Sequence, residues 1–451
     1  MQKDLTEGSI TKTLLLFALP MIAGNLLQQF YNIADTLIVG RFLGAEALAA
    51  VGSSYTLMTF FISILLGLSM GSGAVFSIYY GERNENKLKE SMAASFWLIL
   101  IVTLVLNIFV FLCIHPIMHF LQVPKEIYEM MKEYLWIVFW GIFASFLYNY
   151  FASLLRAVGN SVVPLMFLAV SAVLNIILDL WFVLGLDWGV AGAAAATVFS
   201  QYAAGIGISV YSGMKLPYFR GIGKYIRPKI EMMKEIGQSS VLTCLQQSVM
   251  NLGILMVQGL VNSFGTVIMA AFAAAVKIDS FAYMPVQDFG NAFSTFIAQN
   301  YGAKKFERIQ KGIKSAVMTS VLFCVVISGA VFIFAEPLMK IFVSGAEKEI
   351  ISVGVEYLRI EGSFYFGIGI LFLLYGLYRA VKLPGMSVVL TILSLGTRVA
   401  LAYGLSAIPM IGVRGIWAAV PIGWILADAV GVIYYIKNKG KIEKALGGKT
   451  C

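Results

Sequence analysis

Two carboxylates stand where carboxylates are costly. Asp35 lies inside an otherwise apolar stretch from Leu14 to Val39, and Asp179 lies in a similar stretch further along. An ionised Asp at the centre of a bilayer costs at least about 2.5 kcal/mol, so such residues usually face a polar cavity, a partner group or a transported ion. On a helix, Gln28, Asn32 and Asp35 share one face at steps of four and three, with Asn25 a turn earlier, and Ser171, Asn175 and Asp179 repeat the pattern at steps of four. Amides leading to a carboxylate supply what a proton or a hard cation needs: oxygens to coordinate it and an acid that can exchange charge. Thr197 offers a hydroxyl from the next apolar run. Brought together, the two acids would repel unless a proton or a cation lay between them. The structural alternative is that Asp35 is solvated near the end of its helix while Asn175 and Asp179 serve as interhelical hydrogen-bonding glue.

The elements that must position these residues are membrane spans. The 451 residues are 59% hydrophobic and 13% charged, about half the charged share of a soluble domain. The formal charge of +9 does not point to nucleic acid, because the basic residues sit in short connections between apolar runs and form no stripe with interleaved aromatics. The expected fold is an all-α polytopic membrane protein with twelve transmembrane helices. The first six are expected at about 14–39, 47–79, 91–114, 132–156, 163–185 and 190–213, making a first lobe over 1–213. A basic linker, 214–237, leads to a second lobe, 238–436, with spans at about 238–261, 267–300, 313–336, 353–377, 387–407 and 414–436, and then a basic tail, 437–451. Met1 to Lys12 is mixed polar and the first apolar run is too long for a signal sequence, so the first span is expected to remain.

Lys and Arg cluster in every second connection, among them Arg83, Lys87 and Lys89, the six basic residues from Lys215 to Lys234, Lys304 to Lys314, and Lys437 through Lys449. By the positive-inside rule both termini are cytoplasmic and the protein sits in the cell membrane. The chain also repeats itself. Leu27-Gln28-Gln29 recurs as Leu245-Gln246-Gln247, Tyr80-Gly81 as Tyr301-Gly302, Arg156-Ala157-Val158 as Arg379-Ala380-Val381, and Gly189-Val190-Ala191-Gly192 as Gly412-Val413-Arg414-Gly415. Two copies of six spans insert in the same orientation, so the lobes are expected to be related by a pseudo-two-fold axis along the membrane normal. In that plan substrate binds near the midplane and access alternates by rocking, which makes Gln28, Gln246, Gln247, Asn251, Asp288 and Lys277 candidates for contact with substrate.

The second copy does not keep the first copy's polar set: Gly253 falls opposite Asp35, Arg398 opposite Asn175, Ala402 opposite Asp179 and Val420 opposite Thr197. It has charges of its own within spans, namely Lys277, Asp279, Asp288, Arg398 and Asp428. Lys277 and Asp288 lie about 16 Å apart along one helix, so the expected pairing is across helices, of Arg398 or Lys277 with Asp288 or Asp428. Pro20 interrupts the hydrogen-bond ladder of the first span about four turns before Asp35, where a change of charge at Asp35 could alter a bend.

Motifs for other chemistry are missing. There is no H-E-x-x-H, no G-x-S-x-G and no Walker-type phosphate loop, so neither an enzyme nor an ATP-driven pump is expected. Cys113, Cys244 and Cys324 fall inside spans and Cys451 ends the chain, with no disulfide or zinc spacing. His115 and His119 are four apart, but Pro116 separates them and no third ligand is near in sequence, so no metal site is expected.

One set of residues resembles a known family. Leu19-Pro20, Gln28-Gln29, Asn32, Asp35-Thr36, Gly40-Arg41 and the stretch from Gly44 to Gly52 look like the first-span signature of multidrug and toxic compound extrusion (MATE) transporters. Leu155 to Asn160, Asn175 to Asp179 and Gly189 to Ala193 resemble further motifs of the same family, in the same order, and the likeness extends over essentially the full chain. The resemblance implies a twelve-helix monomeric antiporter that exports amphipathic, often cationic compounds against a proton or sodium gradient, with no other cofactor. It also implies that Asp35 and Asp179 hold the coupling cation, with Asn175 and Thr197 as neighbours and Asn32 and Asn149 as further members. Some branches carry an acid in the seventh span; Val241 to Val261 has none, which places the chain nearer the prokaryotic branches with a first-lobe site. Related flippases for lipid-linked precursors share the architecture and stand as the alternative function.

Overall fold

A computed structural model describes residues 3–120 and 123–445. The end of the basic tail, with Lys449 and Cys451, lies outside the described residues. Among the described residues the fold is all helical. The first eight helices are α1 (Ile10–Phe42), α2 (Ala45–Gly81), α3 (Glu85–Leu112), α4 (Ile114–Phe120), α5 (Lys125–Val138), α6 (Gly141–Ala157), α7 (Val162–Asp179) and α8 (Gly189–Lys215). The remaining seven are α9 (Ile230–Asn262), α10 (Thr266–Gly302), α11 (Phe306–Phe342), α12 (Lys348–Gly362), α13 (Tyr365–Ala380), α14 (Pro384–Ser406) and α15 (Val413–Ala445). Ten of the helices are long and apolar enough to cross a membrane. The pairs α5 with α6 and α12 with α13, bent by 43° and 51°, count as one span each and give the twelve expected crossings. The chain is a multi-pass membrane protein.

The helices outrun the apolar segments that announced them. α3 begins at Glu85 instead of near 91, α9 at Ile230 instead of 238, and α11 runs Phe306–Phe342 instead of 313–336. Hydropathy marks only the part of a helix that must avoid water, whereas hydrogen bonding along the backbone continues into the solvated turns. The fourth and tenth spans are broken, a feature that hydropathy did not announce. The second break falls at Gly362-Ser363, the kind of small-residue pair at which helices kink. The 214–237 segment is no free linker. Tyr225 donates to Asn86 Oδ1, Trp97 Nε1 to the Ile226 carbonyl, and the Lys229 amide to Glu90, which seat this stretch on α3.

The internal repeat is written into the backbone. Gly44 and Gly265 enter α2 and α10 with φ of 91° and 98°, and Gly189, the first residue of α8, and Gly412, just before α15, have φ of 56° and 53°. Arg83 and Lys304, which follow the Tyr-Gly pairs, share φ near 55° (54° and 56°). At the corresponding turn after α6 and α13, Gly159 (84°) in the first copy is matched by Lys382 (62°) in the second. Positive φ is unfavourable for any side chain with a Cβ, so its recurrence at matched positions marks one turn geometry used twice.

The chain forms two compact units, of residues 1–4 with 23–244 and of residues 5–22 with 245–451. This differs from a cut in the 214–237 connection. α1 changes unit between Ile22 and Ala23, two residues after Pro20, and α9 does so between Cys244 and Leu245. Each unit has its own buried core: Phe76, Phe139, Phe146 and Tyr150 are at the centre of the first, and at the centre of the second Phe272 stacks on Trp417 while Tyr357 meets both edge-on.

Candidate functional site

The first unit brings α1, α5, α7 and α8 around one small polar site. Asp179 is the last residue of α7, which continues as a wider π turn over Leu180–Gly185, a departure from α geometry common at functional positions. Asp179 is fully buried and Asn175, one turn earlier, is 2% exposed. Ser171, two turns earlier, donates to the Ser200 carbonyl at 2.8 Å and fixes α7 against α8. From α1 the half-buried Asp35 extends its carboxyl group to within hydrogen-bonding reach of the Asp179 carboxyl. Two carboxyl groups bond only when one of them carries a proton, because both carboxylates are pure acceptors. Apart from each other, Asp35 Oδ1 and both Asp179 oxygens have no hydrogen-bond partner, and neither amide atom of Asn175 has one.

Two tyrosines that sequence reasoning passed over complete the site. Tyr134, on α5 and 6% exposed, faces both acids and hydrogen-bonds Thr197 on α8, whose hydroxyl also donates to the Ala193 carbonyl at 3.1 Å. Tyr31 lies one turn before Asp35, close to both acids, and bonds Gln28. Tyr31 was legible, since it stands four residues from Asp35 on the same face. Tyr134 was not, because the expected fourth span began at 132 and left Tyr134 at its rim, whereas the helix starts at Lys125.

Other expected members turn elsewhere. Asn32 Nδ2 donates to the Tyr55 hydroxyl at 3.2 Å, and Asn149 Nδ2 donates to the Ser145 carbonyl of its own helix at 2.8 Å. Gln28 lies in the first unit, whereas the buried Gln246, Gln247 and Asp288 and the half-buried Asn251 lie in the second. Pro20 sits inside α1. Among the described residues no three His, Cys, Asp or Glu side chains cluster as a metal site would require; His115 instead bonds the Tyr128 hydroxyl at 2.7 Å.

The charges of the second unit are arranged differently from expectation. Lys277 is exposed. Arg398 on α14 lies near Asp279 and Glu361. The neighbour that the sequence did not announce is Glu361, near the end of α12 and 2% exposed. Asp428 on α15 is half-buried, with Oδ1 unpartnered.

The model of the MatE family matches residues 20–181 and 239–404, which is most of the chain. This chain belongs to the MatE family. Proteins similar to it include the probable multidrug resistance protein YpnP of Bacillus subtilis, 28% identical over 446 residues that cover 98% of each chain. The probable multidrug resistance protein NorM of Thermotoga maritima is 26% identical over 95% of this chain and 93% of its own. The fold matches a solved outward-facing conformation of a multidrug resistance MATE family transporter of the MOP superfamily, with a TM-score of 0.91 at 23% identity over 99% of this chain and 98% of that one. A MATE crystal structure in a bent conformation gives 0.91 at 23% identity over 98% of both chains. The first matched block contains Asp35, Asn175 and Asp179 and ends before Thr197; the second contains Asp279, Glu361 and Arg398 and ends before Asp428.

Proposed function

We propose that this MATE protein is a secondary exporter of amphipathic, often cationic compounds, working by alternating access in the cell membrane as a monomer with both termini in the cytoplasm. Its coupling cation binds at Asp35 and Asp179, with Asn175, Thr197 and Tyr134 around them. The observation that carries this reading is the direct approach of two carboxyl groups in a buried site where no protein donor reaches the free oxygens. With both acids ionised, two like charges would face each other in a dry interior, so the site must hold a cation whenever it is closed to water. Exchange of that cation with substrate is what antiport requires. A change of charge at Asp35 acts on α1 beyond Pro20, within the part of the helix that belongs to the first unit. The multidrug names carried by the relatives support the substrate class and do not favour a lipid flippase.

The ion favoured is the proton, because two neighbouring carboxyl groups in a buried site can share one. Sodium is the second reading, supported by the unpartnered Asn175 Oδ1, which with the four carboxylate oxygens and Thr197 could coordinate a metal cation. The test is uptake of a cationic dye into inverted vesicles under proton and sodium gradients imposed separately. Uptake driven by the proton gradient alone is the expected result. Uptake that survives collapse of both gradients and stops only on ATP removal overturns the exporter reading; translocation of lipid headgroups without dye movement turns it to the flippase.

A further inference from the structure

We infer that the second unit holds the phosphate headgroup of an anionic phospholipid in a basic cavity at the start of α1 and α11. The cavity is open, has a volume of about 690 Å³ and lies between residues 8–10 and the first turns of α11. That volume is within the range of small-ligand sites, about 300–1,000 Å³. Its lining has four cations, Lys304, Lys305, Arg308 and Lys311, against one acid, Glu307. Two of the cations are fixed in place, with Lys305 donating to the Thr6 carbonyl at 2.8 Å and Arg308 to the Gly8 carbonyl at 2.6 Å. Lys304 and Lys311 are exposed, and the solvated pair that Lys311 makes with Glu307, 3.8 Å across, is too weak to hold it from another anion.

The first copy of the repeat shows what the same turn looks like without such a ligand. Arg83 and Lys304 occupy one left-handed turn geometry, with φ of 54° and 56°, so residues 82–90 align with 303–311. The first copy is neutral there: Arg83, Lys87 and Lys89 are balanced by Glu82, Glu85 and Glu90, and Asn84 caps α3 by accepting from the Lys87 amide. The second copy keeps the turn and loses the acids. Ala303, Phe306 and Lys311 stand at the positions of Glu82, Glu85 and Glu90, Lys305 at that of Asn84, and no side chain caps α11. Cations at the positive end of a helix dipole are unfavourable, and an anion relieves them. Orientation in a membrane requires basic residues in these connections, which both copies have; it does not require the loss of the cap and the acids.

The depth of the cavity fits a lipid. At 1.5 Å per residue, Ile10 and Phe306 stand about 6 and 10 Å outside Leu14 and Ile313, where the apolar runs begin. A headgroup layer is about 5–8 Å thick. Beside the cavity Thr11 of α1 bonds Ser315 of α11 at 2.7 Å and joins the two helices. On the faces that carry those hydroxyls, Leu15 and Leu19 follow at steps of four and Met318 and Leu322 at steps of three and four, all exposed. An acyl chain lying along these side chains brings its phosphate to the four cations.

The test is native mass spectrometry of the full-length protein released from mixed micelles that hold equal amounts of phosphatidylglycerol and phosphatidylcholine. The parent is expected to retain phosphatidylglycerol in preference. Lys304→Ala/Lys311→Ala removes the two exposed cations, leaves the bonds of Lys305 and Arg308 in place and should weaken that retention about ten-fold or more. Lys311→Glu, which restores the acid of the first copy, should weaken it in the same direction and serves where the double variant does not fold. Lys87→Ala/Lys89→Ala takes the same charge from the matched turn of the first copy and should leave the retention unchanged. Equal retention of the two lipids by the parent, or equal losses in the variants of the two copies, reduces the cavity to general surface charge and overturns the proposal. Calorimetric binding of inorganic phosphate by the parent, without a preference between the lipids, makes the ligand a soluble anion and overturns the lipid assignment.

Discussion

Gly71 on α2 meets Ser239 on α9 backbone to backbone: a Cβ on Gly71 would stand 2.5 Å from the Ser239 carbonyl oxygen and 2.6 Å from Ser240 Cα. One turn earlier, a Cβ on Gly67 would stand 2.6 Å from Cys244 Cα. Glycines four apart let two membrane helices approach closely, and hydroxyls then bridge them, with Ser239 donating to the Gly71 carbonyl at 2.9 Å and Ser72 bonding both Ser240 and Ser95.

Gly71→Ala should therefore destabilise the protein by about 1–3 kcal/mol, the usual range for overpacking where backbone cannot retreat. Gly259→Ala, on the same α9 where nothing lies within 4 Å, is the control and should leave stability unchanged. Thermal unfolding of the purified protein in one detergent, followed by intrinsic fluorescence, compares the two. Equal midpoints would mean that the α2–α9 contact is not close-packed.

The coupling site gives a second expectation. Asp35→Asn and Asp179→Asn keep volume and hydrogen-bonding capacity but cannot exchange charge, so each should abolish gradient-driven dye uptake while the protein stays folded. Tyr134→Phe loses a single hydrogen bond, worth about 1 kcal/mol, and should weaken transport without abolishing it. Gly253→Asp, at the repeat-related position, should not rescue Asp35→Asn. A Cβ there would lie 2.9 Å from both Leu395 methyl groups, and Ala402 and Val420 offer no supporting oxygens. Normal efflux by either Asp variant removes that residue from the mechanism.

What the sequence disclosed follows from the range of the forces involved. Spans and the repeat were legible because hydropathy and motif order are properties of consecutive residues. Asp35, Asn175 and Asp179 were legible because polar groups in an apolar run are conspicuous and helical spacing places them on one face. Tyr134 and Glu361 were not, since each lies in the first, more polar helix of a bent span, where a tyrosine or a glutamate is ordinary, and only packing shows that they point inward. The surroundings of Arg398 were hidden for the same reason: which of Asp279, Asp288, Glu361 and Asp428 lies near it depends on helix neighbours, which spacing along one chain does not specify. Nor did hydropathy place the changes of unit at Ile22 and Cys244, because each falls within a continuous helix, where the order of residues carries no mark of it.

The amino-terminal segment supplies a further expectation. Arg308 donates to the carbonyls of Leu5, Glu7 and Gly8, with distances of 2.6 Å to Glu7 and Gly8, while Lys305 reaches the Thr6 carbonyl at 2.8 Å and Asn300 the Leu5 carbonyl at 3.2 Å. Several carbonyls thus converge on one planar guanidinium, a geometry that a lysine cannot reproduce. Arg308→Lys should accelerate amide hydrogen exchange over residues 5–10 several-fold and leave exchange within α13 unchanged. Uniform exchange in the two proteins would show that the segment is held by its apolar residues alone.

The last expectation concerns the ion. If a proton bridges Asp35 and Asp179, export should proceed in sodium-free medium and acidify the compartment that the substrate leaves, since each turnover carries a proton inward against outward drug movement. If sodium occupies the site, its ligands would include Asn175 Oδ1, which has no protein partner, and Asn175→Ala would raise the sodium concentration needed for half-maximal transport. The same substitution under proton coupling leaves the two carboxyl groups in contact and should change the pH dependence little. Transport in vesicles at fixed membrane potential, measured for the parent and for Asn175→Ala across a sodium series and a pH series, separates the two. A strict sodium requirement, with no accompanying pH change, would reverse the choice of ion and leave Asp35 and Asp179 as its ligands.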